Sequence, residues 1–439
     1  MVGQPRSWGR RHRAEQRLLF PSSTAEAARL LGETGPFLPY GQGRSYGDSC
    51  LNDEGALLAS GRLDHLVALD LERGILTCEA GVTLAAIIAV LGSRPLSDGG
   101  YWALPVVPGT KNVSVGGAIA NDVHGKNHES AGTFGRHVLS FDLLRSDRGV
   151  VHCSPDTEPE LFSATIGGLG LTGMVLAAAI KLVRVPGLLM ETYDRRLENL
   201  DEYFSATSDD AERPYRAAWV DVTARGKAIG RGIHSVSRWV EGAPPPPKGA
   251  GPAIPVEAPT IAMSTWPVKA FNALYRRKLG MVSERLSRSP MDPVLFPLDG
   301  LSHWNRLYGK RGFYQHQSVV PREIAADATR ALLTEIGRSG EGSALTVLKE
   351  FGDLESPGLL SFPMAGTTLA VDFQDRGGST LALLERLDTI VREAGGRRYP
   401  AKDDRMRMAD FGTGYPAFDR FRQSVDPRFS SNFWRRVTA

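Results

Sequence analysis

The sequence predicts an α+β chain of more than one domain, and three observations carry that expectation. At 439 residues it is too long for one compact domain, set against a norm of roughly 150 residues per domain. Up to about residue 183 it carries short β-like runs separated by glycine-rich turns, with only short helical candidates among them. Its second half alternates as strands do, and adds two segments of helical period and length at 325–336 and 380–394.

In chain order, 24–31 follows a Ser/Thr cap and reads as a short helix. The runs 37–39, 56–58, 75–79, 150–153 and 174–183 read as strands, and 84–91 as a second short helix. Segment 216–222 alternates, as do 313–320 and 368–373 further on. Between them, 241–260 (EGAPPPPKGAGPAIPVEAPT) cannot be a regular element, because four consecutive prolines remove donors and favour extended chain. With strand patterning on both sides it reads as a mobile loop within the second half, not as a linker. There is no internal repeat.

Composition narrows the function classes. Hydrophobic residues are 42% and charged residues 23%, and Lys+Arg minus Asp+Glu is 52 − 49 = +3. That balance excludes a disordered chain and argues against nucleic acid as the main partner. Cys50, Cys78 and Cys153 are too few for a disulfide framework and form no C-x-x-C pair, so neither a zinc cluster nor a thioredoxin-type site is supported. Residues 1–17 are basic but lead into no apolar core, so no signal peptide is read there. The longest apolar stretches, 81–92 and 167–180, fall short of the ~18–20 residues of a transmembrane helix. The expectation is a cytoplasmic protein, or one held peripherally at the cytoplasmic membrane. Segment 263–279 (MSTWPVKAFNALYRRKL) mixes Trp266, Phe271, Leu274 and Tyr275 with Lys269, Arg276, Arg277 and Lys278, as an interfacial helix does. An ordinary amphipathic helix lying on its own domain has the same pattern.

Two constellations carry chemistry. In Tyr40-Gly41-Gln42-Gly43-Arg44-Ser45-Tyr46-Gly47-Asp48, three closely spaced glycines leave backbone N–H groups free to converge on an anion. No Gly-Lys-Ser/Thr follows, so it is not a Walker loop. The second is PGTKNVSVGGAIANDVHGKNH at 108–128, dense enough in small residues for backbone to pack against a flat or extended ligand. It leads to the polar cluster Asn121, Asp122 and His124.

Three other patterns point elsewhere and fail on context. Gly168-Leu169-Gly170-Leu171-Thr172-Gly173 matches a dinucleotide fingerprint, with Glu191 about 20 residues on, but a strand follows it instead of the required helix. His124 and His128 have a metal-pair spacing, yet Gly125 and Asn127 disfavour the helix that would align them, and no metal is expected. His152 and Cys153 are neighbours on a strand and point to opposite faces, so they are no nucleophile–base pair.

The motifs GQGRSYGD and PGTKNVSVGGAIANDVHGKNHESAGTFG resemble the pyrophosphate-binding segments of FAD-dependent oxidoreductases of the vanillyl-alcohol oxidase type, which carry a PCMH-type FAD-binding fold. More narrowly, they resemble the decaprenylphosphoryl-β-D-ribose 2′-oxidase group. The likeness continues in order through FYQHQSVVP (313–321), VLKEFG (347–352), LAVDF (369–373), GGRRYPAKDDR (395–405) and VDP (425–427). The resemblance implies an FAD-binding domain at 1–183, a substrate domain at 184–396 built on an antiparallel sheet flanked by helices, and a segment 397–439 returning to the FAD domain. It implies oxidation of a sugar hydroxyl to a ketone at C2′ of a polyprenyl-phosphoryl pentose. That is the first half of an epimerisation in arabinose supply to the cell envelope, with an NAD(P)H-dependent reductase completing the second half. An aldonolactone- or alditol-type oxidase, or a silent flavin- or sugar-binding module, remain as alternatives.

By the same resemblance FAD is held by Gly41, Gln42, Gly43, Arg44, Ser45, Tyr46, Gly47, Gly109, Ser114, Val115, Gly116, Gly117, Asn121, Asp122, His124 and Tyr399. Several relatives bond flavin through a histidine at the position of Arg44, so non-covalent FAD is expected. Lys402 matches the active-site lysine, and serves either as positive charge near the flavin N1 edge or, with its pKa depressed, as base; the alternative is a surface lysine paired with Asp403 or Asp404. Tyr46 is a hydroxyl donor or wall by the flavin, or a packed turn tyrosine. His124 is a proton shuttle or a hydrogen-bonding cofactor contact. Gln315 and Gln317 lie on one strand face and are assigned to the substrate, with Lys349 and Lys402 beside them. Some relatives carry a cysteine where this chain has Ala370, so the pocket wall is not identical.

Overall fold

The computed structural model describes residues 2–439 except 13–14, 34, 208–211, 244–250, 278–279, 281 and 342. Three sheets organise the chain. A mixed sheet of β1 (Val2–Gly3), β2 (Gln16–Leu19), β3 (Phe37–Tyr40) and β4 (Ala56–Ala59) runs in the order β1-β2-β4-β3, with β2 and β3 parallel to β4. An antiparallel sheet combines β5 (Leu66–Asp70), β6 (Ile75–Glu79), β8 (Val138–Arg145), β9 (Gly149–Cys153) and β10 (Met174–Lys181) in the order β5-β6-β10-β8-β9. β7 (Tyr101–Ala103) forms a ribbon with β11 (Val183–Val185).

The third sheet has eight strands: β12 (Leu189–Leu197), β13 (Tyr215–Val220), β14 (Gly232–Val240), β15 (Glu284–Pro290), β16 (Phe313–Pro321), β17 (Thr346–Phe351), β18 (Gly366–Gln374) and β19 (Arg397–Arg398). Its order is β15-β12-β14-β13-β17-β18-β16-β19, antiparallel throughout. The helices Ala325–Ser339 and Gly378–Glu393 cover one face, burying Leu332, Leu333, Ile336, Leu383, Leu384 and Leu387 against Leu348, Leu369 and Val371. Thus the fold is α+β.

Local chemistry explains most element ends. Ser23 and Thr83 cap the helices Thr24–Leu31 and Leu84–Gly92, each accepting a backbone N–H at 3.2 Å. The run expected as one strand over 174–183 is two, because the chain leaves β6 and β8 at Leu182 to pair with β7. β13 stops at Val220, short of 222, because the Asp221 carboxylate accepts the Thr223 N–H and turns the chain. In the proline-rich stretch 241–260, residues 244–250 lie outside the described residues. Beyond them Ala253 makes an isolated bridge to Ser302. The amphipathic segment forms the helix Thr265–Arg276; its expected end, Lys278 and Leu279, lies outside the described residues.

The last forty residues pack on the first sheet. Phe37 N–H donates to Arg428 and Ser430 N–H donates to Phe37, while Phe411, Tyr415, Phe421, Phe433 and Val437 share a core with Leu38 and Leu57. Among the described residues, no helix is long and apolar enough to cross a membrane.

Candidate active site

Between the glycine loops and the eight-stranded sheet lies a cavity of about 910 Å³. Its walls at one end are backbone. The loop after β3 turns at Gly43 with φ 60°, where a Cβ would sit 2.3 Å from the Tyr40 hydroxyl and 2.6 Å from the Arg6 carbonyl, so only glycine fits. Ser114 caps the short helix Val115–Ala120, its Oγ accepting from Gly117 N at 3.3 Å. A Cβ on Gly41 would come within 2.5 Å of that Oγ, so the two loops are packed as one cradle. Gly117 differs: it lines the cavity, and a Cβ there would meet nothing nearer than Ser114 Oγ at 3.2 Å. Asp299 fixes the 108–112 turn by accepting from Thr110 Oγ1 at 2.7 Å and Lys111 N at 2.8 Å.

At the other end, titratable side chains from four separate segments meet. Tyr46 N–H donates to the Ala401 carbonyl at 2.8 Å and Lys402 N–H to the Tyr399 carbonyl at 3.0 Å, so the first glycine loop and the 399–402 turn hold each other. The Lys402 ammonium lies 3.7 Å from the Tyr46 ring centroid. Asp403 accepts instead from Arg398 at 2.9 Å, and Asp404 from Arg11. Among the described residues Lys402 has no ion pair within 4 Å. Burial, with Lys349 adding like charge, lowers its pKa to about 7 against the opposing pull of Asp372. Lys349 on β17 is likewise lowered to about 7 by burial. Burial pushes the Tyr46 phenol well above its ordinary value, so it stays a hydroxyl at neutral pH.

The β16 face carries Gln315 and Gln317 into the cavity, while His316 points away to Asp388 at 3.1 Å. Gln317 Nε2 lies 3.0 Å from His124 Nε2 and 3.4 Å from Thr368 Oγ1. His124 is enclosed by the rings of Phe351, Phe362 and Tyr399 at 4.9–5.7 Å. Burial and then the nearby Lys349 hold its pKa well below 6.5, so the imidazole is neutral. With Gln317 donating to Nε2, the ring proton belongs on Nδ1, which is buried and, among the described residues, has no partner. Tyr399 donates to the Asn121 carbonyl at 2.8 Å, joining this end to the glycine cradle.

A family model described as FAD binding domain matches residues 16–154. Decaprenylphosphoryl-beta-D-ribose oxidase of Mycolicibacterium smegmatis is 35% identical over 416 residues, covering 90% of this chain and 88% of the relative. The chain belongs to the decaprenylphosphoryl-β-D-ribose oxidase family. A Streptomyces coelicolor protein from the mprA 5′ region is 36% identical over 355 residues, 76% of this chain and 96% of its own. L-gulonolactone oxidase of Mus musculus is 26% identical over only 167 residues, 37% of this chain and 36% of that enzyme. Membership makes the chain an FAD-dependent oxidoreductase of PCMH-type fold.

The residues present fit FAD. Glycine backbone from both loops lines the cavity, and among the described residues three buried polar atoms on its wall, Ser49 Oγ, His124 Nδ1 and Thr346 Oγ1, have no partner. Of the residues assigned to cofactor and substrate, Gly41, Gln42, Gly43, Arg44, Ser45, Tyr46, Gly109, Ser114, Gly116, Gly117, Asn121, His124, Gln315, Gln317, Lys349, Tyr399 and Lys402 line this cavity.

Three assignments fall elsewhere. Gly47 does not line the cavity, and a Cβ on it would lie 1.9 Å from the Asp403 carbonyl, so this glycine admits the 399–404 turn. Val115 is wholly buried in the core beneath the helix. Asp122 is wholly buried, its carboxylate accepting from Gly135 N at 2.8 Å and from the hydroxyls of Ser356 and Ser361. It knits loops together away from the cavity. Asp122→Ala is therefore expected to lower stability by about 1–3 kcal/mol in urea melts while flavin affinity, measured by titration of the apoprotein, stays near that of the parent. Lost flavin affinity with unchanged stability would restore Asp122 to the cofactor.

The sequence reading also passed over Asp372 and Asp299, both on the cavity wall. Asp372 was in view within LAVDF. Its spacing of two and four from Ala370 and Thr368 was the signal that it shares their face. Among the described residues no group of three or more His, Cys, Asp or Glu is placed to hold a metal. His124 and His128 both lie against Phe351.

Proposed function

We propose that this enzyme oxidises the C2′ hydroxyl of a polyprenyl-phosphoryl pentose to a ketone, as the first half of a 2′-epimerisation. One observation carries the reading: Lys402, Tyr46, Gln315, Gln317, Lys349 and His124, from five separate segments, converge on one cavity that the glycines of both loops also line. In this reading residues 1–183 and 397–439 form the FAD-binding unit and 184–396 the substrate unit. The bound flavin supplies the hydride acceptor. Gln315 and Gln317 orient the sugar hydroxyls, and Lys349 faces the phosphate. Lys402 takes or shares the proton of the hydroxyl being oxidised, with Tyr46 fixing the ammonium over its ring. His124, neutral and lacking a partner at Nδ1, donates to the cofactor or the sugar.

Arg44 stands where histidyl attachment occurs in several relatives. Its guanidinium donates to the Asn112 carbonyl at 3.1 Å and lies 4.3 Å from the Trp8 ring, so it has no route to a flavin bond. Acid or heat should release yellow FAD into the supernatant. Flavin that stays with the denatured polypeptide would contradict this part.

The prenyl chain enters past Trp219, Phe271 and Tyr275, which line the cavity; the Trp219 and Tyr275 rings are 4.8 Å apart. Phe271 and Tyr275 belong to the helix Thr265–Arg276, where Trp266 is 82% and Leu274 70% exposed. From 258 to 283 there is no acidic residue and four basic ones. These features support peripheral contact with an anionic membrane surface. A separate NAD(P)H-dependent reductase would take the ketone onward. The reading is tested by anaerobic bleaching of the flavin with prenyl-phosphoryl pentoses, free pentoses and alditols. The first class should bleach fastest, and preference for alditols would overturn the substrate assignment.

A further inference from the structure

Asp372 is the one carboxylate of the cavity that nothing above uses for packing a loop or for the reaction. It lies on β18, 1% exposed, and faces the cavity. Oδ1 accepts from Gln315 Nε2 at 2.6 Å and Oδ2 from the Tyr308 hydroxyl at 3.2 Å. Tyr308 is itself wholly buried and stacked on Phe313 at 4.2 Å, so its hydroxyl is held in place. Gln315 also lies beside the Tyr46 hydroxyl on the cavity wall. Among the described residues no cation lies within 4 Å of this carboxylate.

A buried carboxylate held by neutral donors alone is costly, and an amide of the same shape could occupy this position without the charge. The charge therefore calls for a counterpart across the cavity. Lys402 lines the same cavity and, among the described residues, has no ion pair within 4 Å, so two unpaired opposite charges face one space, and each pulls on the other's proton affinity. The other titratable groups beside Lys402 are Tyr46 from the glycine loop, Lys349 from β17, neutral His124, and its chain neighbours Asp403 and Asp404, whose carboxylates are taken up by Arg398 and Arg11. Burial raises the Asp372 pKa to about 7, against the opposing pull of Gln315 and then of Lys402.

We propose that Asp372 is a positioning residue that sets the protonation state of Lys402 across the cavity and, through Gln315, aims the Tyr46 hydroxyl. The inference rests on the reading of Lys402 as the group at the reacting carbon. A carboxylate that merely seats Tyr308 and Gln315 would leave the proton affinity of Lys402 alone.

The test is the pH midpoint for acetylation of Lys402 in the FAD-loaded enzyme by acetic anhydride, read by peptide mass spectrometry without turnover. Removing the anion favours the neutral amine. Asp372→Asn should therefore move the midpoint to lower pH, by roughly 1 unit or more for loss of a nearby opposite charge. Asp372→Glu should bring it back towards the parent, and the pH limb of flavin bleaching should move in the same direction. Asp372→Ser, smaller and still able to accept from Gln315, serves if the asparagine variant fails to bind flavin. An unchanged midpoint in a folded, flavin-bound variant lacking the carboxylate would overturn the proposal. Because acetylation uses no sugar, a wrong substrate assignment leaves this measurement intact, and the two failures are distinguishable.

Discussion

Lys402→Ala is expected to bind FAD and to lose substrate-dependent bleaching by about 10²–10⁴-fold, the usual cost of a positioned acid–base group. Folding should survive, because the turn is held by backbone bonds from Tyr46 to Ala401 and from Lys402 to Tyr399, not by the ammonium. Lys402→Arg separates the two roles, since guanidinium keeps the charge and cannot be deprotonated. Rescue by arginine assigns an electrostatic role, and failure assigns a base. The parent's pH profile gives an independent sign. With its pKa near 7, Lys402 is ammonium below that pH and amine above it. A base role makes bleaching rise with pH through about 7, whereas an electrostatic role makes it fall. Bleaching of Lys402→Ala at the parent rate would show that the lysine takes no part.

Gly117→Val should lower FAD occupancy severely while leaving the protein folded. Gly117 lines the cavity, and a Cβ there meets only Ser114 Oγ, at 3.2 Å, so the cap must give by a few tenths of an ångström while no backbone stands in the way. Gly117→Ala should fall between. Occupancy is read as flavin per protein after gel filtration, with the thermal midpoint of the apoprotein as control. Normal occupancy in the valine variant would mean that the helix Val115–Ala120 does not border the cofactor. The neighbouring glycines make poorer probes, because a side chain at Gly41 or Gly43 collides with protein and confuses misfolding with lost binding.

Much of the fold was legible because its elements are set by local chemistry. The strands expected at 75–79 and 313–320 and the two sheet-covering helices carry their period within a few residues. The two loops rich in small residues were legible for the same reason, since backbone that must approach a ligand excludes side chains. Facing was harder. Gly47, Val115 and Asp122 sit inside motifs whose neighbours line the cavity, yet each turns towards protein: the 399–404 turn, the core under the helix, and the Ser356–Ser361 loop. Nothing local announces those partners, which lie more than 200 residues away for Gly47 and Asp122. Asp372 is the opposite case. Alternation along β18 put it on the face of Ala370 and Thr368, but its significance depends on Lys402 and Gln315, which only the assembled sheet brings near.

In the proposed reaction hydride leaves C2′ of a lipid-linked pentose, with Lys402 at the reacting carbon. It is tested most directly by stopped-flow flavin bleaching under anaerobic conditions with a polyprenyl-phosphoryl pentose carrying deuterium at C2′, set beside the same compound deuterated at C3′. The account predicts slower bleaching only for the C2′-labelled substrate, in the parent enzyme. Equal rates for the two labelled compounds, or slowing confined to C3′, would contradict it.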